Sequence, residues 1–122
     1  MFKIVIADDM PEYLVWLQAL FEGSGEFRVV GTAGTGRETL ELVDREGPDL
    51  LIADVEMSDL NGLQVARRIR RDWPKTSVIL ISNFDSPTYQ RLAIEVGALA
   101  FIPKTGLTLE TLQEAWQRET SR

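Results

Sequence analysis

LLIADVEMSDLNG, residues 50–62, is an apolar run that stops on an acid. Leu50 to Ala53 show no alternation of apolar and polar residues, the pattern of a strand buried on both faces. Asp54 ends the run, Glu56 and Asp59 follow, and Asn61-Gly62 closes the stretch with a turn signal. A strand covered on both sides belongs to a parallel sheet between helices. What must be explained is why it ends on a carboxylate with more acid beside it.

Outward from this stretch the chain alternates between two periods. FKIVIA (2–7), FRVVGTA (27–33), SVILIS (77–82) and ALAFI (98–102) read as four more strands. Between them, apolar residues recur at helical spacing. Leu14, Leu17, Leu20 and Phe21 lead to Gly23 and Gly25, and Leu40 and Val43 lead to Gly47-Pro48. Leu63, Ala66 and Ile69 lead to Trp73-Pro74, and Leu92, Ala93 and Val96 lead to Gly97. Leu109, Leu112 and Trp116 stripe a last helix, as core residues. Helix starts are marked by Asp9 with Glu12 and by Thr35 with Glu38, both spaced as capping boxes, by Asn61, and by Ser86-Pro87. Five strands alternating with five helices predict one α/β domain over residues 1–122, a doubly wound parallel sheet with helices on both faces. No internal repeat, low-complexity segment or linker interrupts it.

The bulk numbers bound the chemistry. With 122 residues, 44% hydrophobic and 26% charged, the chain has the makings of a real core. No run of 18 apolar residues suits a membrane span, no secretory leader is visible, and cytoplasm is the expected location. Cys and His are both absent, which removes thiolate nucleophiles, disulfides and the commonest general base. Chemistry here must run on carboxylates, hydroxyls, amines and backbone, and such oxygen-rich sites suit hard cations. A net charge of −6 argues against direct nucleic-acid contact by this domain.

In open parallel α/β sheets, ligands bind beyond the carboxyl ends of the strands. Those ends carry Asp8-Asp9 after strand one, Asp54 after strand three, Ser82 after strand four and Lys104 just past strand five. Carboxylates crowded on one rim repel, at roughly 4 kcal/mol for two unit charges about 4 Å apart at an effective dielectric near 20. Such a cluster takes up protons or recruits a cation, and Mg2+ with several waters is the natural partner. Metal, Lys104 and Ser82 together suit a phosphoryl group, with Asp54 as its nucleophile.

In these residues the chain resembles the receiver domain of two-component response regulators, over essentially its whole length. The markers are the acidic pair Asp8 and Asp9, the phosphoacceptor Asp54, the hydroxyl Ser82, the aromatic Phe101 and Lys104, each at its own strand end. The resemblance implies a flavodoxin-like sheet of order 2-1-3-4-5 and transfer of a phosphoryl group from a sensor histidine kinase to Asp54. It further implies Mg2+ held by Asp9, Asp54 and the backbone carbonyl of Glu56, with Asp8 acting mainly through water. Ser82 and Phe101 would switch, remodelling the face of helix four, strand five and helix five to control an output such as transcription. Glu56 and Asn83 would tune the lifetime of the phosphorylated state. Ser58 and Asn61-Gly62 depart from the Pro and Asp-Gly often found in that loop. Pro103 precedes Lys104 instead of following it, so no cis Lys-Pro bond can form there.

A pseudo-receiver, binding partners without phosphorylation, is the alternative, and the full set of acids, hydroxyl and lysine speaks against it. An enzyme reading, a phosphatase with an Asp nucleophile, finds in Asp54-Val55-Glu56 only a loose match; beyond its own phosphoryl transfer and dephosphorylation the domain is expected to catalyse nothing. A flavodoxin would have to seat a phosphate where Asp8 and Asp9 stand. GTAGTG (31–36) lacks the G-x-G-x-x-G order of a dinucleotide loop and reads as a turn. RRIRRD (67–72) reads as a solvated helix face. The kinase, any output domain and the interface of a homodimer are left open.

Overall fold

The computed structural model describes residues 1–120; Ser121 and Arg122, the end of the expected 1–122 domain, lie outside the described residues. The five apolar runs form β1 (Phe2–Ala7), β2 (Phe27–Ala33), β3 (Leu50–Asp54), β4 (Ser77–Ser82) and β5 (Ala100–Pro103). All pair in parallel, in the order β2-β1-β3-β4-β5. The connections are α1 (Pro11–Glu22), α2 (Gly36–Glu46), α3 (Gly62–Asp72) and α4 (Pro87–Glu95). A single 3-10 turn (Lys104–Gly106) precedes α5 (Leu109–Thr120).

The sheet's two faces sort by strand period. Ile4, Ile6, Leu50, Ile52, Ile79 and Ile81 point to one side, where they meet Leu17 and Phe21 of α1 and Leu112 and Trp116 of α5. Val5, Ala7, Leu51, Ala53, Val78 and Leu80 point to the other, against Leu42 and Val43 of α2, Val65 and Ile69 of α3 and Ala93 of α4. Both faces are dry, which is why the three central strands show no alternation in sequence. Trp116 is a core residue, packed edge-on to Phe2 and Phe27. Arg67, Arg68, Arg70 and Arg71 are exposed on α3, as expected of a solvated face.

Three local expectations are corrected. The Asp9–Glu12 capping box does not form: Met10 is the N-cap of α1, in extended backbone and without a side-chain cap. Pro11 dictates this, because the residue before a proline is driven out of the helical region. At α2, Thr35 accepts from the Glu38 amide as expected, but the Glu38 carboxylate turns to the Gly34 amide, one residue beyond the box. Strand five begins at Ala100 rather than Ala98 and runs through Pro103, which pairs with Ser82. Proline is tolerated there because β5 is an edge strand and needs no donor on its open side. By contrast, the Asn61–Gln64 capping box of α3 is complete in both directions.

Register places the site. Ala7 lies opposite Ala33 and Ala53, Asp54 opposite Ile81, and Ser82 opposite Pro103. The residues that follow these strands therefore emerge side by side on one edge. Gly62 fixes the loop after β3: its amide donates to the Val55 carbonyl, and a Cβ there would lie 2.5 Å from the Asp54 carbonyl oxygen. That close approach, rather than a positive φ, is what the Asn61-Gly62 signal encodes.

Candidate functional site

Asp8, Asp9, Asp54 and Lys104 do come together, and Ser82 ends the neighbouring strand β4 on the same edge. Asp8, Asp9 and Asp54 each offer one carboxylate oxygen, and these oxygens lie within 4.8 Å of one another. Asp9 is exposed, whereas Asp8 and Asp54 are sealed beneath it. Asp8 is pinned through Oδ1, which accepts from the Met10 amide at 2.9 Å. Its Oδ2 faces the Lys104 ammonium at 2.6 Å, and Asp54 Oδ2 lies 3.5 Å from the same nitrogen.

One ammonium cannot neutralise three carboxylates. The Asp54 carboxyl is pushed up to about 7, first by burial and then by the Asp8 charge, with Lys104 pulling it back and Glu56 adding repulsion. A set of hard oxygen donors with surplus negative charge fits a divalent cation such as Mg2+. Asp8, Asp9 and Asp54 are the side chains placed to hold one.

Sequence reasoning missed a residue beside this cluster. Tyr13, in the first turn of α1, lies with its ring 4.2 Å beneath the Lys104 nitrogen. Its phenol is pushed up to about 12 by burial and by the Asp8 and Asp54 charges, so it stays protonated. Tyr13 followed the apolar stripe of α1 in the sequence. The only available signal was its position two residues after Pro11, on the turn that starts at the acidic rim.

The acids after Asp54 have separate tasks. Glu56 is turned to Ser82: both its oxygens lie 2.9 Å from the Ser82 hydroxyl oxygen, and Oε1 also accepts from the Asn83 amide at 3.3 Å. The Ser82 oxygen accepts in turn from the Phe84 amide. Asp59 leaves the site altogether and accepts from the Gly36 and Arg37 amides at 2.7 and 2.9 Å, capping α2 across the rim. Phe101 is half-buried and meets Tyr89 of α4 edge-on, with ring centroids 6.3 Å apart. The Asn83 side chain is exposed at the start of the β4–α4 loop.

Residues 4–117 match the response regulator receiver domain family. The chain belongs to this family. NarL of Mycobacterium tuberculosis, named as a transcriptional regulatory protein, is 32% identical over 111 residues, 91% of this chain and 51% of that protein. A protein-glutamate methylesterase of Geobacter metallireducens is 35% identical over 106 residues, 85% of this chain and 30% of its own length. The solved signal receiver domain of the M. tuberculosis NarL superposes with a TM-score of 0.84 at 32% identity, covering 93% of this chain and 95% of that domain. The chain thus spans about half the length of the regulators it matches, and less than a third of the methylesterase. As a receiver domain it belongs to a class whose general function is phosphorylation-dependent switching under sensor kinases, with Mg2+ bound at an acidic pocket. No helix among the described residues is long and apolar enough to cross a membrane.

Proposed function

We propose that this receiver accepts a phosphoryl group on Asp54 from the phosphohistidine of a sensor kinase in the cytoplasm. The supporting observation is the buried pairing of Asp8 and Asp54 with Lys104 beneath an exposed Asp9. An Asp54 oxygen attacks phosphorus, the P–N bond to the kinase imidazole breaks with its electron pair going to nitrogen, and an acyl phosphate forms on Asp54. Asp9, Asp54 and the Glu56 backbone carbonyl would hold Mg2+, with Asp8 acting mainly through water, and the bound ion would neutralise charge on the phosphoryl oxygens. Lys104 contributes the second cation, held in place by Asp8, and the Ser82 hydroxyl is the donor for one phosphoryl oxygen. Ser82 and Phe101 then shift the α4–β5–α5 face, whose change controls an output; transcription regulation is the output that NarL's name suggests. Glu56 and Asn83, joined by a hydrogen bond from the Asn83 amide to the Glu56 carboxylate, set how long the acyl phosphate lasts.

The test is direct. Incubated with acetyl phosphate and Mg2+, the protein should gain one phosphoryl group by intact mass, and Asp54→Asn should gain none. No adduct on the wild type, with phosphoramidate also tried, would favour a pseudo-receiver that binds its partners regardless of phosphate.

A further inference from the structure

We propose that Glu56 is a gate on phosphorylation, because its carboxylate holds the Ser82 hydroxyl that a phosphoryl group on Asp54 would need. The inference rests on Asp54 being the acceptor. A serine hydroxyl has one proton to give. That proton is committed to Glu56, whose two oxygens both stand 2.9 Å from the serine oxygen, and the Asn83 amide is committed to the same carboxylate at 3.3 Å. Asp54 pairs with Ile81, the residue before Ser82, so the acceptor and Ser82 lie one residue apart in register at the ends of the neighbouring strands β3 and β4. A phosphoryl oxygen can gain Ser82 only if Glu56 lets it go.

Plain satisfaction of a buried serine does not account for the choice of partner. Ser82 is fully buried and needs an acceptor, but a backbone carbonyl would serve without adding negative charge near Asp54. Glu56 supplies that charge, and it is only partly buried, so it has solvent to swing into. Release has a second consequence. The Asn83 amide donates to Glu56 and the Phe84 amide donates to Ser82, so the same contact holds the start of the β4–α4 loop. Phe84, 59% exposed, rides on that loop. Displacement of Glu56 would therefore couple events at Asp54 to an apolar side chain on the surface.

Two readouts test this on the intact chain. The first is the rate of acyl-phosphate formation from acetyl phosphate with Mg2+, in which the P–O bond to acetate breaks and acetate leaves. It is compared in wild type, Glu56→Ala, Ser82→Ala and the double variant. The gate predicts that Glu56→Ala speeds phosphorylation by about three- to tenfold, the scale of one typical net hydrogen bond. The gain should largely vanish in the Ser82→Ala background. An equal gain in both backgrounds would mean that only bulk charge was removed, and no gain would mean no gate; either overturns the proposal. The second readout is hydrogen exchange at the Asn83 and Phe84 amides, expected to quicken in Glu56→Ala without any phosphate donor. Unchanged exchange would overturn the latch itself. If no protein in the set forms an adduct while exchange responds to Glu56→Ala, the acceptor assignment has failed and the gate with it, though the latch exists.

Discussion

Ile52 and Asp54 lie two residues apart on β3, and almost no solvent reaches either, at 0% and 1% exposure. For Ile52 that burial is favourable, worth about 1.5–3 kcal/mol for a fully buried side chain of its size. For Asp54 it is unfavourable, and Lys104 and the Glu56 amide stand against it. The sheet's middle and its rim are equally dry and opposite in sign. The fold is held by the middle, and that surplus lets the rim keep carboxylates close enough to demand a cation.

Removing the apolar half of this contrast should have the largest effect. Ile52→Ala is expected to cost about 3–4 kcal/mol, because a cavity at the centre of a parallel sheet cannot collapse. Urea unfolding would show it as a lower midpoint at unchanged slope.

Removing the charged half should change the sign. Asp54→Asn abolishes the buried charge and should stabilise the metal-free protein at pH 7.5 by on the order of 1 kcal/mol, allowing for solvent screening at the rim. The same logic fixes a pH dependence. The Asp54 carboxyl is raised from 3.8 to about 7 in the folded protein, so the native state holds its proton more tightly than the unfolded chain. Its contribution is fully present below pH 4 and is lost as pH rises through about 7. Thermal melts in chelator should therefore fall across that window, and melts in Asp54→Asn should not show this component. Added Mg2+ should restore the wild type above pH 7 and do little for the variant.

Lys104 offers a smaller test of how the rim is held. If the Tyr13 ring helps keep the ammonium over Asp8 and Asp54, Tyr13→Phe should phosphorylate within about twofold of wild type. Tyr13→Leu should be several-fold slower, since a cation over an aromatic face is worth about 0.5–2 kcal/mol. Equal rates for the two variants would show that Lys104 is positioned by Asp8 alone.

The fold was legible because both its signals are local. Continuous apolar runs and helical stripes announce the layers, and register then brings the strand ends together without further instruction. The acid pair, Asp54, Ser82 and Lys104 could be placed on one edge for that reason. What sequence could not supply was the direction in which a side chain turns once there. Asp9 and Glu12 had the spacing of a cap, yet Pro11 forced Met10 into that place and left Asp9 facing solvent. Tyr13 belongs by spacing to an ordinary first turn, and only tertiary packing sets it under Lys104. Strand five ends one residue later than its apolar run suggests, because proline reads as a strand breaker until the strand is known to lie at an edge.

Asp59 is the sharpest instance, because in sequence it looks like one more acid crowding Asp54. It turns the other way and accepts from two amides at the start of α2, 22 and 23 residues earlier in the chain. Those bonds, with the Leu60 amide behind them, lower its carboxyl from 3.8 to about 2 although it is exposed. The sign is opposite to that of Asp54: its contribution is present above pH 4 and lost as pH falls through about 2. Asp59→Ala should therefore lower the thermal midpoint slightly at neutral pH and converge on the wild type in strong acid. It should leave phosphorylation by acetyl phosphate unchanged, because the carboxylate caps a helix and faces no donor in the Asp54 pocket. A slowed acceptor in Asp59→Ala, at temperatures where the variant is fully folded, would mean that the α2 cap and the pocket are coupled through the β3–α3 loop.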